Sequence, residues 1–134
     1  MGQIQKKAEE KDIYFQVELP EKIICEHDKN WMCEALYNVF DNAVKYSKSN
    51  STIDITMKQT EMFYKIQVRD YGIGIRDGEE NKIFQRFYRG EQARGQEGCG
   101  IGLYLSREIV LLQKGMMKAK QMKPGLLIEV NLPV

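Results

Sequence analysis

Apolar and polar positions change their period several times along the chain, and each change marks an element. Ile13, Phe15, Val17 and Leu19 alternate with polar neighbours before Pro20. That period of two predicts a half-buried strand. Lys22–Cys25 is a second short apolar run. From Trp31 to Tyr46, the apolar residues Trp31, Met32, Ala35, Leu36, Val39, Phe40, Ala43 and Val44 recur in pairs four apart. This predicts a helix, with Asp28 as its candidate N-cap. Ser47–Ser51 reads as a loop. Alternation returns in Ile53, Ile55 and Met57, then in Tyr64, Ile66 and Val68. The polar linker Gln59–Glu61 makes these two strands an antiparallel hairpin. Glu79–Phe87 reads as a short helix, and the polar, glycine-bearing Tyr88–Gly98 as a mobile loop. A second helix begins at Gly100. Ile101, Tyr104, Leu105, Ile109 and Leu112 form its stripe, and Gly115 stops it. Met116–Met122 and Leu126–Leu132 read as strands around a Pro124-Gly125 turn. The order predicts an α/β two-layer sandwich, with helices on one face of a mostly antiparallel sheet.

Composition narrows the function classes. A length of 134 residues suits one domain over 1–134, and 43% hydrophobic with 29% charged residues excludes disorder as the main state. The formal net charge of +1 gives no global field for nucleic acid or membrane, so any anion site must be local. No apolar run approaches the roughly 18–20 residues of a membrane span. Met1–Lys11 is polar and of mixed charge, unlike a signal or transit peptide. The cysteines Cys25, Cys33 and Cys99 show no C-x-x-C spacing, and only His27 could join them. That argues against zinc and for a reducing compartment.

The polar face of the 31–46 helix carries Glu34, Asn38, Asp41, Asn42 and Lys45. Asn is a poor helix former, so Asn38 and Asn42 one turn apart are a local inconsistency of the kind that marks sites. Their amide oxygens suit Mg²⁺ already compensated by phosphates, and Lys45 could reach a phosphate oxygen. The bland alternative is that the amides cap a loop or face water. Asp70-x-Gly72-x-Gly74 sets a carboxylate at a strand end, where it could read an exocyclic amine; a tight turn alone would look the same. Gly98-Cys-Gly100-Ile-Gly102-Leu103 opens a helix, where backbone N–H groups and the dipole favour an anion. Its G-x-G-x-G spacing is neither the dinucleotide fingerprint nor a Walker A loop. Between these motifs, Phe84 and Phe87 read as core aromatics anchoring the loop, and Arg89 could swing onto a phosphate.

In this order and spacing, the four motifs resemble the N box, first glycine box, F box and second glycine box of sensor histidine kinase catalytic domains. The resemblance covers nearly the whole chain. It implies the Bergerat ATP-binding fold shared with gyrase, Hsp90 and MutL. By similarity, Asn38 leads the Mg²⁺ ligands with Asn42 beside it. Lys45 would contact phosphate, and Tyr46 would flank the adenine. Asp70 would take the adenine amine in a pocket shaped by Gly72, Gly74 and Ile75. Gly98, Gly100, Ile101, Gly102 and Leu103 would hold phosphates. Tyr88–Gly98 would be the ATP lid, with Arg89, Gln92, Arg94 and Gln96 as its candidate contacts.

The implied activity is phosphoryl transfer from Mg·ATP to a histidine on a separate dimerisation domain, for relay to a response regulator. That domain's His-Glu-Leu-Arg-like box has no counterpart here, and His27 reads as structural. The resemblance places the chain in the cytoplasm, with no nucleic-acid partner and no membrane contact of its own. Glu34 sits where hydrolysing relatives carry a water-activating Glu; a Mg²⁺-water contact or a solvated residue is the favoured reading. Trp31, the methionines and the Ile/Leu stripes read as core. Competing functions are an anti-sigma-factor-type serine kinase, against which the F box argues, a gyrase-like ATPase module, and a nucleotide-sensing module without transfer.

Overall fold

The computed structural model describes residues 6, 8–18, 29–76, 78–85 and 102–133. Its strands are β1 (Tyr14–Glu18), β2 (Thr52–Gln59), β3 (Phe63–Asp70), β4 (Met116–Gln121) and β5 (Leu126–Pro133). Its helices are α1 (Lys29–Tyr46) and α2 (Gly102–Leu112), with a 3-10 turn at Lys82–Phe84. Residues 8–10 are also helical, and Ala8 packs into the core. The strand order is β1-β2-β3-β5-β4. β1 runs parallel to β2, and every other pairing is antiparallel. Both predicted hairpins are present, so the mixed, mostly antiparallel sheet is as expected.

Alternation along the strands divides the sheet into two faces. Ile53 and Ile55, then Tyr64, Ile66 and Val68, then Leu126, Ile128, Val130 and Leu132 point to the helices and are buried. They join Ala35, Val39, Ala43 and Val44 of α1 and Ile109 and Val110 of α2 in one core. The other face is polar. There Gln67 Nε2 donates to Glu129 Oε1 at 3.0 Å, and Lys65 pairs with Glu129 at 3.7 Å.

The two α-helices pack on each other through a buried polar contact. Ser106 is fully buried and donates from Oγ to Ala35 O at 2.7 Å. Ser106→Ala leaves that carbonyl without its added partner and is expected to cost about 1–2 kcal/mol, read as a lower melting temperature.

Several sequence expectations need correction. Among the described residues, 79–85 hold only the 3-10 turn and not a longer helix. Trp31 is 57% exposed, and Leu105 and Leu112 are 42% and 80% exposed. The stripe facing the core is Ser106, Ile109 and Val110, with Leu103 packed against it. Helix α2 is apolar nearly all round, so periodicity alone left its phase open. Met62 and Met116 are likewise exposed, not core. The left-handed residue ending α2 is Lys114 (φ 64°), while Gly115 N–H donates back to Val110 O at 2.9 Å. This is a Schellman-type end with lysine where glycine is usual. Gly115 is required next to it for another reason: a Cβ there would lie 2.4 Å from Asn131 O.

Candidate functional site

Helix α1 ends beside the strand that carries Asp70, and the end of that helix builds the first wall of the site. Tyr46 O accepts the Ile73 N–H at 3.2 Å. Gly72 packs so closely on the same carbonyl that a Cβ would sit 1.8 Å from it. No side chain fits there. Gly72→Ala must push the loop off α1, and it is expected to cost about 2–3 kcal/mol and to weaken nucleotide binding. Calorimetric unfolding and a ligand titration check the two effects separately. On the other side, Gly125 (φ +102°) approaches Asp70 O so closely that a Cβ would lie 2.0 Å away, and Gly74 in turn abuts the Gly125 backbone. The Asp70–Ile75 loop is therefore held by bare backbone from both sides. Ile75 is buried in the floor at 9% exposure.

Asp70 closes the alternation Tyr64, Ile66, Val68 on the apolar face and is 3% exposed. Its Oδ1 accepts the Gly72 N–H at 3.0 Å. Burial raises its pKa to about 6, against the opposing pull of the Gly72 and Leu126 amides and the Arg69 charge. Even with two amide donors, a carboxylate keeps lone pairs for an incoming donor. Such a buried carboxylate, its pKa displaced by desolvation, is a candidate ligand reader.

The adjoining residues stiffen this strand end on the polar face. Tyr71 OH donates to Asp54 Oδ2 at 2.5 Å, and the Arg69 guanidinium lies 4.3 Å from the Tyr71 ring centroid. Arg69 Nη2 also donates to Pro124 O at 3.3 Å, tying down the turn that carries Gly125. Beyond the loop, Glu79 is buried and accepts the Arg76 N–H at 2.7 Å.

The polar face of α1 forms the second wall. Asn38 Nδ2 is buried without a hydrogen-bond partner. An orphaned donor on a helix face is costly and calls for an acceptor. Asn38 lies against the first residue of α2: a Cβ on Gly102 would be 3.8 Å from Asn38 Cβ and 3.9 Å from its Oδ1. The positive end of the α2 dipole thus meets the Asn38 amide, an arrangement that favours an anion. Asn42 and Asp41 are half-buried on the same face, and Lys45 pairs with Asp41 at 3.3 Å. Tyr46 is half-buried at the helix end, and Glu34 is exposed.

Among the expected site residues, Asn38 lies against Gly102, Tyr46 against Gly72, and Gly72 on Asp70. Asn42 and Lys45 share the helix of Asn38, Gly74 and Ile75 follow in the Asp70–Ile75 loop, and Leu103 packs against the core. Arg89, Gly98, Gly100, Ile101, the Tyr88–Gly98 loop, Phe87, His27, Asp28 and Lys22–Cys25 lie outside the described residues. The loop's flanks are described. Ile83 and Phe84 are buried, and the Arg107 guanidinium of α2 lies 5.2 Å from the Phe84 ring centroid. Among the described residues, no three His, Cys, Asp or Glu side chains cluster to hold a metal ion. A hard cation here would have to come with its own phosphate oxygens, and neutral Asn oxygens fit that case.

Sequence reasoning missed Lys11, Tyr71, Glu79 and Ser106. For Ser106 a signal existed: a small polar residue inside an apolar helix. Tyr71 and Glu79 sit in polar loops where nothing marks them.

Residues 27–134 match the family described as histidine kinase-, DNA gyrase B- and HSP90-like ATPase. The sensor protein kinase WalK of Staphylococcus aureus is 36% identical over 129 residues, covering 92% of this chain. The chain spans only 31% of that relative's length, and 21% in other strains of the same species. The mycobacterial sensor histidine kinase MprB superposes with a TM-score of 0.83 at 29% identity, covering 97% of this chain and 92% of that one. The nucleotide-free catalytic domain of histidine kinase ThkA shares the fold with a TM-score of 0.86 at 23% identity, covering 98% of this chain and 87% of that one. The chain belongs to the histidine kinase-, gyrase B- and HSP90-like ATPase family, as an ATP-binding catalytic domain of the sensor histidine kinase type.

Proposed function

We propose that this domain binds Mg·ATP between α1, the Asp70–Ile75 loop and the start of α2, and presents the γ-phosphoryl group to a histidine on a separate dimerisation domain. The observation that carries the reading is the pairing of a desolvated Asp70 carboxylate, with lone pairs to spare, at one end and the orphaned Asn38 amide nitrogen at the other. A purine amine satisfies the first, and phosphate oxygens satisfy the second.

The division of labour follows from the chemistry of each group. Asp70 accepts the adenine amine, while Gly72, Gly74 and Ile75 shape the pocket and Tyr46 flanks the base. Asn38 and Asn42 offer amide groups to the Mg²⁺–phosphate unit, which when bound neutralises charge developing on the transferring group. Lys45 exchanges its Asp41 partner for a phosphate oxygen. Gly98, Gly100, Ile101, Gly102 and Leu103 line the phosphates with backbone N–H groups, and Arg89 steadies the γ-phosphate. In the transfer, the bond from the γ-phosphorus to the ADP oxygen breaks, and a bond from that phosphorus to an imidazole nitrogen forms. The protein's part is alignment and electrostatic stabilisation. Glu34 is exposed on the same helix face, and we assign it no role as a base.

The phosphohistidine would then be relayed to a response regulator; histidine kinase ThkA, a protein of the same fold, forms a complex with the response regulator protein TrrA. None of the described helices is long and apolar enough to cross a membrane. We place the domain on the cytoplasmic side of its parent kinase, where ATP is available.

The test is transfer. The chain is mixed with a separately prepared histidine-bearing dimerisation domain of its parent kinase and with γ-labelled ATP. Acid-labile, base-stable label on that domain is the expected result. Label on serine would favour the serine-kinase alternative, and free phosphate alone would favour the gyrase-like one.

A further inference from the structure

The last carbonyls of a helix need partners, and at the end of α1 one distant side chain serves two of them and the carbonyl just beyond. Lys11 Nζ donates to Val44 O (2.9 Å), Lys45 O (2.9 Å) and Ser47 O (3.0 Å), from 33 to 36 residues upstream. The intervening carbonyl, Tyr46 O, is left for the Ile73 N–H and is the one on which Gly72 packs. Gly72 N–H in turn holds Asp70 Oδ1. The segment that carries Lys11 is itself fixed: Asn50 N–H donates to Lys11 O at 2.9 Å, and Ala8 is buried in the core.

We infer that Lys11 is a positioning residue for the adenine end of the nucleotide site, acting through the helix carbonyls on the Gly72 loop and so on Asp70. The inference rests on the nucleotide reading given above. The ammonium suits the task because it is a cation at a helix C-terminus, where the dipole is negative, with donors that can converge on several oxygens. Its partial burial, which lowers its pKa from the ordinary lysine value, shows that the contact is drawn out of bulk water. Without it, the carbonyls of the last turn must turn to solvent. Tyr46 O then loses the fixed position against which a glycine with no room for a Cβ is fitted.

The experiment compares ATP and adenosine binding for the intact chain, Lys11→Met, Lys11→Arg and Asp70→Asn. Leu132→Ala, at the opposite end of β5 from Leu126, serves as a destabilised control. Lys11→Met keeps the aliphatic stem and is expected to weaken both ligands by a similar factor of roughly tenfold, the effect of losing charge-assisted bonds. Lys11→Arg, whose planar fork cannot converge on three carbonyls, is expected to fall between, and it carries the test if the Met variant does not fold. Leu132→Ala lowers the melting temperature without this loss. Unchanged affinity in the Lys11 variants, or a loss for ATP but not adenosine, overturns the inference. If Asp70→Asn also binds adenosine normally, the nucleotide reading itself has failed.

Discussion

Asp70→Asn is expected to make the nucleotide-free domain more stable at neutral pH while removing its ATP binding. The two effects have one cause. Asp70 is 3% exposed, and burial lifts its pKa from 3.8 to about 6. A group whose pKa is higher in the folded state favours folding when protonated. That contribution is complete below about pH 4 and is lost as pH rises through about 6. By neutral pH the buried charge costs about 3 kcal/mol of stability. An asparagine carries no charge, keeps an oxygen for the Gly72 N–H and escapes that cost. The same change opposes an amide N–H₂ to the adenine amine, and a donor facing a donor is expected to weaken binding by about 100-fold or more. Thermal unfolding from about pH 3 to 8 checks the first effect: the two proteins should agree in acid, diverge between about pH 4 and 6, and keep a constant gap above that. Titration with adenosine, which has no phosphate to titrate, checks the second. Its affinity for the native chain should rise through pH 6, and the variant should show no such rise.

Asn38→Ala is the second large effect. Asn38 Nδ2 is buried without a partner, so deleting it removes no hydrogen bond of that nitrogen from the nucleotide-free fold. A slight gain in stability is expected, as when an unsatisfied buried donor is deleted. Adenosine binding should be unchanged, because Asp70 lies at the other end of the site. The dependence of ATP affinity on Mg²⁺ should largely disappear, and transfer to an added acceptor domain should fall by roughly 100- to 1,000-fold, the scale of losing a placed electrostatic donor. Wild-type transfer in this variant would remove Asn38 from the metal–phosphate site. Both expected results would express one compromise: groups placed for a ligand are those the empty fold would be better without.

The sheet and both long helices were legible because their apolar periods are long and regular. The placement of Asp70 was legible too, in a form easily overlooked: Tyr64, Ile66 and Val68 alternate onto the buried face, and two more residues bring Asp70 to it. The phase of α2 was not, because Leu105, Leu111 and Leu112 offer more apolar surface than the core takes. The partner of β1 was hidden for a different reason. Its parallel pairing with β2 spans the whole of α1, and no local pattern reports a pairing across that distance. Lys11 is the clearest case. As one charge among many in a polar segment it carries no signal, yet it completes the helix end on which the Asp70–Ile75 loop is built.

The most direct test of the account is calorimetric titration of the chain with ATP, with and without Mg²⁺, while phosphate release is followed in the same sample. The expected result is one binding site, tighter with Mg²⁺, and negligible phosphate release until a histidine-bearing acceptor domain is added. Sustained release without an acceptor would contradict the kinase assignment and return Glu34 to consideration as a base. No binding by a folded sample would contradict the nucleotide site itself.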